Sequence, residues 1–155
     1  MTEDINIGIQ CGSLGDRCGI YTYTQRVLKY LNDIKGVRAF AFKDRFRKSE
    51  NVDLINIQYE PGMCRPKDLQ KFLNKLTEPI VVTVHHTGMI PQFYPMLDGL
   101  IFHSQNQIAG EPWEYTIIPH PALVFPEKGK EKMREKYNLP KDKKIIGTMG
   151  FIAGT

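Results

Sequence analysis

The feature that most constrains the fold is a repeated alternation of short apolar segments with segments of helical periodicity. Ile5–Ile9 alternates and then meets glycines, and Tyr21–Ile34 places apolar residues three and four positions apart. Asp53–Gln58 is again strand-like, and Arg65–Leu76 again has helical spacing. Such alternation is typical of βαβ units, whose strands lie parallel in one sheet. The sequence therefore predicts an α/β fold, a Rossmann-like parallel sheet with flanking helices.

Four further segments are rich in β-branched and aromatic residues and are predicted to be strands. They are Val37–Phe42, Pro79–Val84, Gly99–His103 and Tyr115–Ile118. Nearly continuous apolar strands suit a sheet that is covered on both faces. We expect the strand order to reverse near the first strand, so that Gly12–Gly19, His85 and His103 converge at one edge.

The character of the chain changes after the sixth predicted strand. Prolines end that strand, the lysine-rich Lys128–Tyr137 predicts a helix, and Lys144–Met149 predicts another strand. We therefore expect a Rossmann-like domain over residues 1–125, and over residues 126–155 a linker helix and the first strand of a second domain. Because no helix follows that strand before Thr155, we expect the chain to be part of a longer protein.

Composition narrows the class of protein. The 155 residues are 41% hydrophobic, which is enough to bury a core, and the net charge of +4 is not arranged as a basic stripe interleaved with aromatic residues. We therefore expect no nucleic acid partner. The apolar runs are too short to span a bilayer and the start is not a signal sequence, which favours the cytoplasm. Three cysteines without a CxxC pair favour free thiols.

Five blocks in order along the chain carry a family resemblance. They are Cys18–Thr24, Asp53–Glu60, Val81–His85, Asp98–Ser104, and Ile117–Pro121 with its continuation at Gly150-Phe-Ile. In these blocks the chain resembles the retaining glycosyltransferases of family 4, which have the GT-B fold of two Rossmann-like domains facing a cleft. It departs from the family at Cys18, His86 and Pro121, where glycine, an acidic residue and glycine are usual.

The resemblance implies the amino-terminal, acceptor-side half of a hexosyltransferase. Such an enzyme takes a nucleotide sugar as donor and a sugar or a glycan-lipid as acceptor, and no cofactor or obligatory metal is expected. The donor would be bound mainly by a missing carboxyl-terminal domain. This chain alone is therefore expected to be inactive.

The loop Gly12–Gly19 is a candidate for contact with the donor phosphates. Glycines let backbone N–H groups approach a ligand closely, and the amino terminus of a helix favours an anion. The predicted substrate-binding residues here are Gly12, Gly15, Cys18 and Gly19. The glycines fit a tight strand-to-helix turn equally well. The loop is neither a G-x-G-x-x-G fingerprint nor a Walker loop, which disfavours dinucleotide and ATP binding.

Residues that follow predicted strands are the candidates for contact with sugar. Because open α/β sheets bind ligands at the carboxyl ends of their strands, His85 is well placed. The resemblance implies that His85 contacts the transferred sugar or the reaction centre, and it is the predicted catalytic residue. His86, His103 and Glu60 are further predicted substrate-binding residues, although the family's His-Ser block tends to be a capping element. His120 is expected to be structural.

Two other interpretations of these residues remain open. A metal site of Cys11, Cys18, His85 and His86 is conceivable, but the spacing does not favour it and we expect no stoichiometric zinc. The basic and apolar helix Arg65–Leu76 fits packing on the sheet better than contact with a membrane, yet a peripheral position at its inner face is possible.

An alternative function is a stand-alone, non-catalytic Rossmann-like module that binds a glycan or a nucleotide. An epimerase or a dehydrogenase acting on nucleotide sugars is disfavoured, because the dinucleotide fingerprint is missing.

Overall fold

The computed structural model describes residues 4–11, 18–42, 51–86, 91–108, 114–120 and 129–146. The chain divides into two compact units, residues 1–120 and residues 121–155. The predicted domain boundary between residues 125 and 126 stays a prediction. Among the described residues, no helix is both long enough and apolar enough to cross a membrane.

The first unit is built on one parallel sheet of six strands. The strands are β1 (Ile5–Cys11), β2 (Val37–Ala41), β3 (Leu54–Tyr59), β4 (Ile80–Val84), β5 (Gly99–Phe102) and β6 (Tyr115–Ile117). Their order in the sheet is β2-β1-β3-β4-β5-β6, and every neighbouring pair is parallel. The predicted Rossmann-like α/β fold is confirmed. The order of the strands reverses at β1, as the sequence predicts.

Two α-helices of this unit lie in the described residues, α1 (Gly19–Asn32) and α2 (Pro66–Leu73). Each begins within two residues of its predicted start. The turn after α1 passes through Gly36, whose φ of 80° lies in the left-handed region that favours glycine. Two short 3₁₀ helices, Pro91–Met96 and Gln105–Gln107, were not predicted from the sequence.

One face of the sheet carries the hydrophobic core. Ile55, Ile57 and Tyr59 of β3 are fully buried there in one cluster with the apolar residues of α2. The apolar side of the predicted helix Arg65–Leu76 is therefore used for packing, and contact of this region with a membrane stays a prediction. A Cβ at Gly8 would lie 2.5 Å from the Phe42 ring, so β1 needs glycine where that ring crosses it.

The opposite face of the central strands is polar and buried. Side chains alternate along a strand, so Asn56 and Gln58 of β3 face away from the core cluster. Both are at least nine-tenths buried, as is Thr83 on the neighbouring strand β4. Since buried polar groups need hydrogen-bond partners, this row of side chains indicates a built network instead of a second apolar layer.

The second unit contains α3 (Lys130–Lys136), which lies within the predicted helix Lys128–Tyr137. Its buried Arg134 donates hydrogen bonds to the carbonyls of Pro140 and Lys143 and so closes the segment after the helix. The predicted strand Lys144–Met149 is not formed over residues 144–146. The remainder of that prediction lies outside the described residues.

Candidate functional site

Three adjacent strands bring three histidines to one edge of the sheet. His85 follows β4, His103 follows β5, and His120 lies just beyond β6. In the register of the sheet Thr83 pairs with Ile101, and the two histidines stand two residues further on, on the same face. The carboxyl ends of parallel strands share an edge, so the sheet itself gathers the side chains.

The imidazole rings of these residues, the histidine cluster His85, His103 and His120, are in contact. The ring centroids of His85 and His103 are 4.9 Å apart, and those of His103 and His120 are stacked at 3.6 Å. One ring nitrogen of each histidine lies within 4.8 Å of the others. Tyr23 of α1 meets all three rings edge-on, at centroid distances of 5.0, 5.1 and 5.3 Å. The helix therefore packs directly on the cluster.

A chain of buried amides orients the ring of His85. Asn56 Nδ2 donates to Thr83 Oγ1 at 3.0 Å, and Gln58 Nε2 donates to Asn56 Oδ1. Gln58 Oε1 is thereby turned toward His85 Nε2, at 2.7 Å. An amide oxygen can only accept, so the proton is on Nε2 and the lone pair is on Nδ1.

His103 is oriented by the backbone of the next strand. Its Nδ1 lies 2.8 Å from the carbonyl oxygen of Ile118, which again can only accept. In the neutral ring the lone pair of His103 is therefore on Nε2. That nitrogen is buried, and within the described part of the chain it has no hydrogen-bond partner. The residue is only 7% exposed, so its unpartnered nitrogen is shielded from open solvent.

Gln107 ties the ends of β4 and β5 together. Its Oε1 accepts the backbone N–H groups of His103 and Ser104, at 2.6 and 3.0 Å. Its Nε2 donates to the carbonyls of Val84 and His86, at 3.1 and 3.3 Å. One side chain thus fixes the backbone on both sides of the site.

Two histidines of the cluster, His85 and His120, have lowered pKa values and are therefore mainly neutral at physiological pH. Burial, and then repulsion by His103 and His120, lowers the pKa of His85 from its ordinary 6.5 to about 3. Partial desolvation of its ring, and then repulsion by His103, also lowers the pKa of His120, although the residue as a whole is exposed. Burial raises the pKa of Tyr23. A neutral imidazole with a fixed tautomer, such as His85, is a hydrogen-bond acceptor and a metal ligand, but His85 is too weak a base to carry protons near pH 7.

The predicted phosphate loop is only partly described. Cys18 caps the start of α1 through its carbonyl, which accepts the N–H of Thr22 at 3.1 Å, and its Sγ lies 3.9 Å from Met63 Sδ. Gly19 is the first residue of α1, and a Cβ there would meet no described atom within 4 Å. Both lie at the end of the sheet that carries His85, as predicted. Gly12 and Gly15 lie outside the described residues.

Glu60 and His86 lie beside the cluster without belonging to it. Glu60 directly follows β3, is half-buried, and accepts the N–H groups of Met63 and Cys64 through its carbonyl. His86 is exposed, and its carbonyl accepts Gln107. Among the described residues, the group able to hold a metal ion is the histidine cluster, and Cys11, Cys18 and His86 are not in it.

Three residues of the site were missed from the sequence. Gln58 had a visible signal, because Asn56 and Gln58 are polar residues spaced by two within an otherwise apolar strand. His120 had the same signal as His85 and His103, namely its position after a strand, yet it was expected to be structural. Tyr23 had none, because the periodicity of α1 does not tell which part of the sheet a given helical residue covers.

Comparisons of the chain with protein-family models, with curated proteins and with solved structures found no match.

Proposed function

We propose that this chain is the acceptor-side domain of a retaining, sugar-nucleotide-dependent glycosyltransferase in which His85 contacts the transferred sugar. The observation that carries the proposal is the position of His85. It follows β4 at the carboxyl-terminal end of the sheet, and α1, which begins at the same end beside the reversal at β1, contacts its ring through Tyr23. Ligands of open α/β sheets bind in the crevice formed at such a reversal. The ordered family 4-like blocks supply the class of reaction.

The electrostatics of His85 favour hydrogen bonding to the sugar over proton transfer. With its pKa lowered to about 3 the ring is almost entirely neutral at pH 7, so it is a poor proton carrier. Its Nδ1 lone pair is a good acceptor, because Gln58 holds the proton on Nε2. We therefore assign to His85 a hydrogen bond from a sugar hydroxyl, which orients the sugar while positive charge develops at its anomeric carbon.

The amino terminus of α1 is suited to stabilise negative charge on the diphosphate of the donor. Negative charge builds on the departing diphosphate, and the amino terminus of a helix offers backbone N–H groups and a partial positive charge to it. Gly19 leaves one side of that terminus without a side chain. In this proposal the remaining donor contacts come from a second domain, and transfer needs no metal.

The test uses the protein encoded by the complete reading frame, assayed with a panel of nucleotide sugars. His85→Ala should lower kcat by about ten- to a thousandfold, equivalent to about 1.4 to 4 kcal/mol, because a contact close to the developing charge is lost. Asn74→Ala, an exposed change at the end of α2, should match the parent. Thermal melts of all three proteins establish that they are equally folded.

Two results would contradict the proposal in different ways. Equal kcat for His85→Ala and parent would leave the enzyme class standing and remove His85 from the site. Nucleotide or glycan binding by the complete protein without any transfer would instead favour the non-catalytic binding module.

A further inference from the structure

We infer that His85, His103 and His120 form a binding site for a transition-metal ion of the zinc type. The residues come from three neighbouring strand ends, and one ring nitrogen of each lies within 4.8 Å of the others. The inference does not rest on the proposed transferase activity; it is a different use of the His85 Nδ1 lone pair, which cannot bind a metal ion and accept a hydrogen bond from a sugar hydroxyl at the same time. The inference departs from the expectation drawn from the sequence, which was that the protein carries no stoichiometric zinc.

His103 has the arrangement of a metal-ligating histidine. Such a residue generally donates one ring N–H to a carbonyl or a carboxylate, which fixes the tautomer and directs the other nitrogen at the metal. His103 Nδ1 bonds the Ile118 carbonyl at 2.8 Å, and Nε2 is buried without a hydrogen-bond partner among the described residues. A buried polar nitrogen without a hydrogen-bond partner is unfavourable, and a metal ion would serve as its partner.

The ring of His85 is oriented in the same way, but by a side-chain amide instead of a backbone carbonyl. Its Nε2 is held 2.7 Å from Gln58 Oε1, and Gln58 is in turn fixed by Asn56. The Nδ1 lone pair of His85 is then available as a ligand. Outer-shell partners of this kind raise the basicity of the ligand and fix the orientation of the ring.

His120 completes the set by a small movement. Two nitrogens bound at about 2.0–2.1 Å to a tetrahedral ion are about 3.3 Å apart, so nitrogens up to 4.8 Å apart must close in. The ion must also lie in the plane of each ring, whereas the rings of His103 and His120 are stacked at an angle of 27°. His120 is the exposed member, and exposed side chains change rotamer within nanoseconds. Its ring therefore turns to meet the ion while the other two stay in place.

The donor set selects the kind of metal. Three neutral imidazoles suit zinc, copper, nickel and cobalt, whereas magnesium and calcium require oxygen ligands. A tetrahedral ion with three histidine ligands keeps a fourth position for water or for another oxygen ligand, as catalytic zinc sites do. The cluster therefore fits a zinc ion with one exchangeable position.

The experiment is a metal titration of the 155-residue chain after treatment with a chelator. Zn²⁺ is titrated against a chromophoric chelator, and Co²⁺ serves as the spectroscopic probe. One ion should bind per chain. Bound Co²⁺ should give the visible bands of tetrahedral coordination and no thiolate charge-transfer band, because the ligands are nitrogens.

Two variants test whether His120 is a ligand of the metal ion. Losing an outer-shell partner costs about 10–100-fold in metal affinity, so losing a ligand in His120→Ala should weaken Zn²⁺ binding by at least about tenfold. His120 is exposed, so this variant should fold, and a thermal melt checks that it does. His86→Ala, which removes the histidine outside the cluster, should leave the affinity for Zn²⁺ unchanged. The inference is overturned by a chain that binds no stoichiometric Zn²⁺, by a thiolate band in the Co²⁺ spectrum, or by equal affinities of His120→Ala and parent.

Discussion

At the scale of the residue, His85 couples the stability of the fold to pH. The groups that face its ring are His103, His120 and Tyr23, and burial is the first cause of its lowered pKa. The unfolded chain takes up this proton near pH 6.5, the folded chain only near pH 3. Between these values the unfolded state binds one more proton, so the free energy of unfolding falls as the pH is lowered.

The pH dependence can be isolated with His85→Gln, which cannot be protonated. In metal-free protein, lowering the pH from 7 to 5 should cost the parent about 1 kcal/mol more unfolding free energy than it costs the variant. This value is reduced from the full linkage effect because the ring is partly exposed. Urea unfolding of both proteins at the two pH values measures the difference. Parallel losses in parent and variant would mean that His85 titrates near 6.5 in the folded protein as well.

At the scale of the element, one side-chain amide joins α1 to β2, the outermost strand of the sheet. Asn32 is the last residue of α1, and its Nδ2 donates to the carbonyl of Ala39 at 2.8 Å while its Oδ1 accepts the Ala39 N–H at 2.9 Å. Because β2 is an edge strand, these backbone groups face away from β1. The asparagine therefore takes the place of a missing neighbouring strand.

Replacing this amide should destabilise the fold without touching the site. Asn32→Ala removes both bonds to the buried Ala39 and should lower the free energy of unfolding by about 2 kcal/mol. Asn74→Ala, which changes an exposed asparagine at the end of α2, should alter the free energy of unfolding by less than about 0.5 kcal/mol. Chemical denaturation of the two variants gives the comparison. Similar losses in both would show that the edge of β2 does not depend on Asn32.

The elements could be predicted from the sequence because their signals are local. The alternation in Ile5–Ile9 and the helical spacing in Arg65–Leu76 each arise within one segment, and the strand ends follow from nearby prolines and glycines. Contacts across segments could not be predicted in the same way. The stacking of His120 on His103 depends on the register of β5 with β6, and the contact of Tyr23 depends on how α1 is rotated on the sheet.

The same distinction between local signals and contacts across segments holds for the candidate site. His85 and His103 were expected at one edge of the sheet because each follows a strand, and the structure brings them together. The amide chain from Asn56 to His85 could not be foreseen, because it requires the pairing of β3 with β4 in one particular register. Local pattern thus predicts which residues reach the edge, and long-range pairing decides what they do there.

At the scale of the whole molecule, the proposed transferase divides its work between two domains across a cleft. The described edge offers His85 for the sugar and the start of α1 for phosphate, whereas most donor contacts are expected outside these residues. The 155-residue chain alone should therefore show no sugar transfer and at best millimolar binding of a nucleotide sugar, which corresponds to about −4 kcal/mol.

Measuring this binding by isothermal titration or by NMR shifts, with the complete protein alongside, tests the division of labour. The complete protein should bind the donor at least about a hundredfold more tightly, since a further −2.7 kcal/mol or more comes from the second domain. Metal-free protein is used throughout, because an ion bound by the histidine cluster would itself bind the phosphates of the nucleotide sugar. Submillimolar binding, or transfer by the 155-residue chain itself, would mean that the donor site is already complete within these residues and that no second domain is needed.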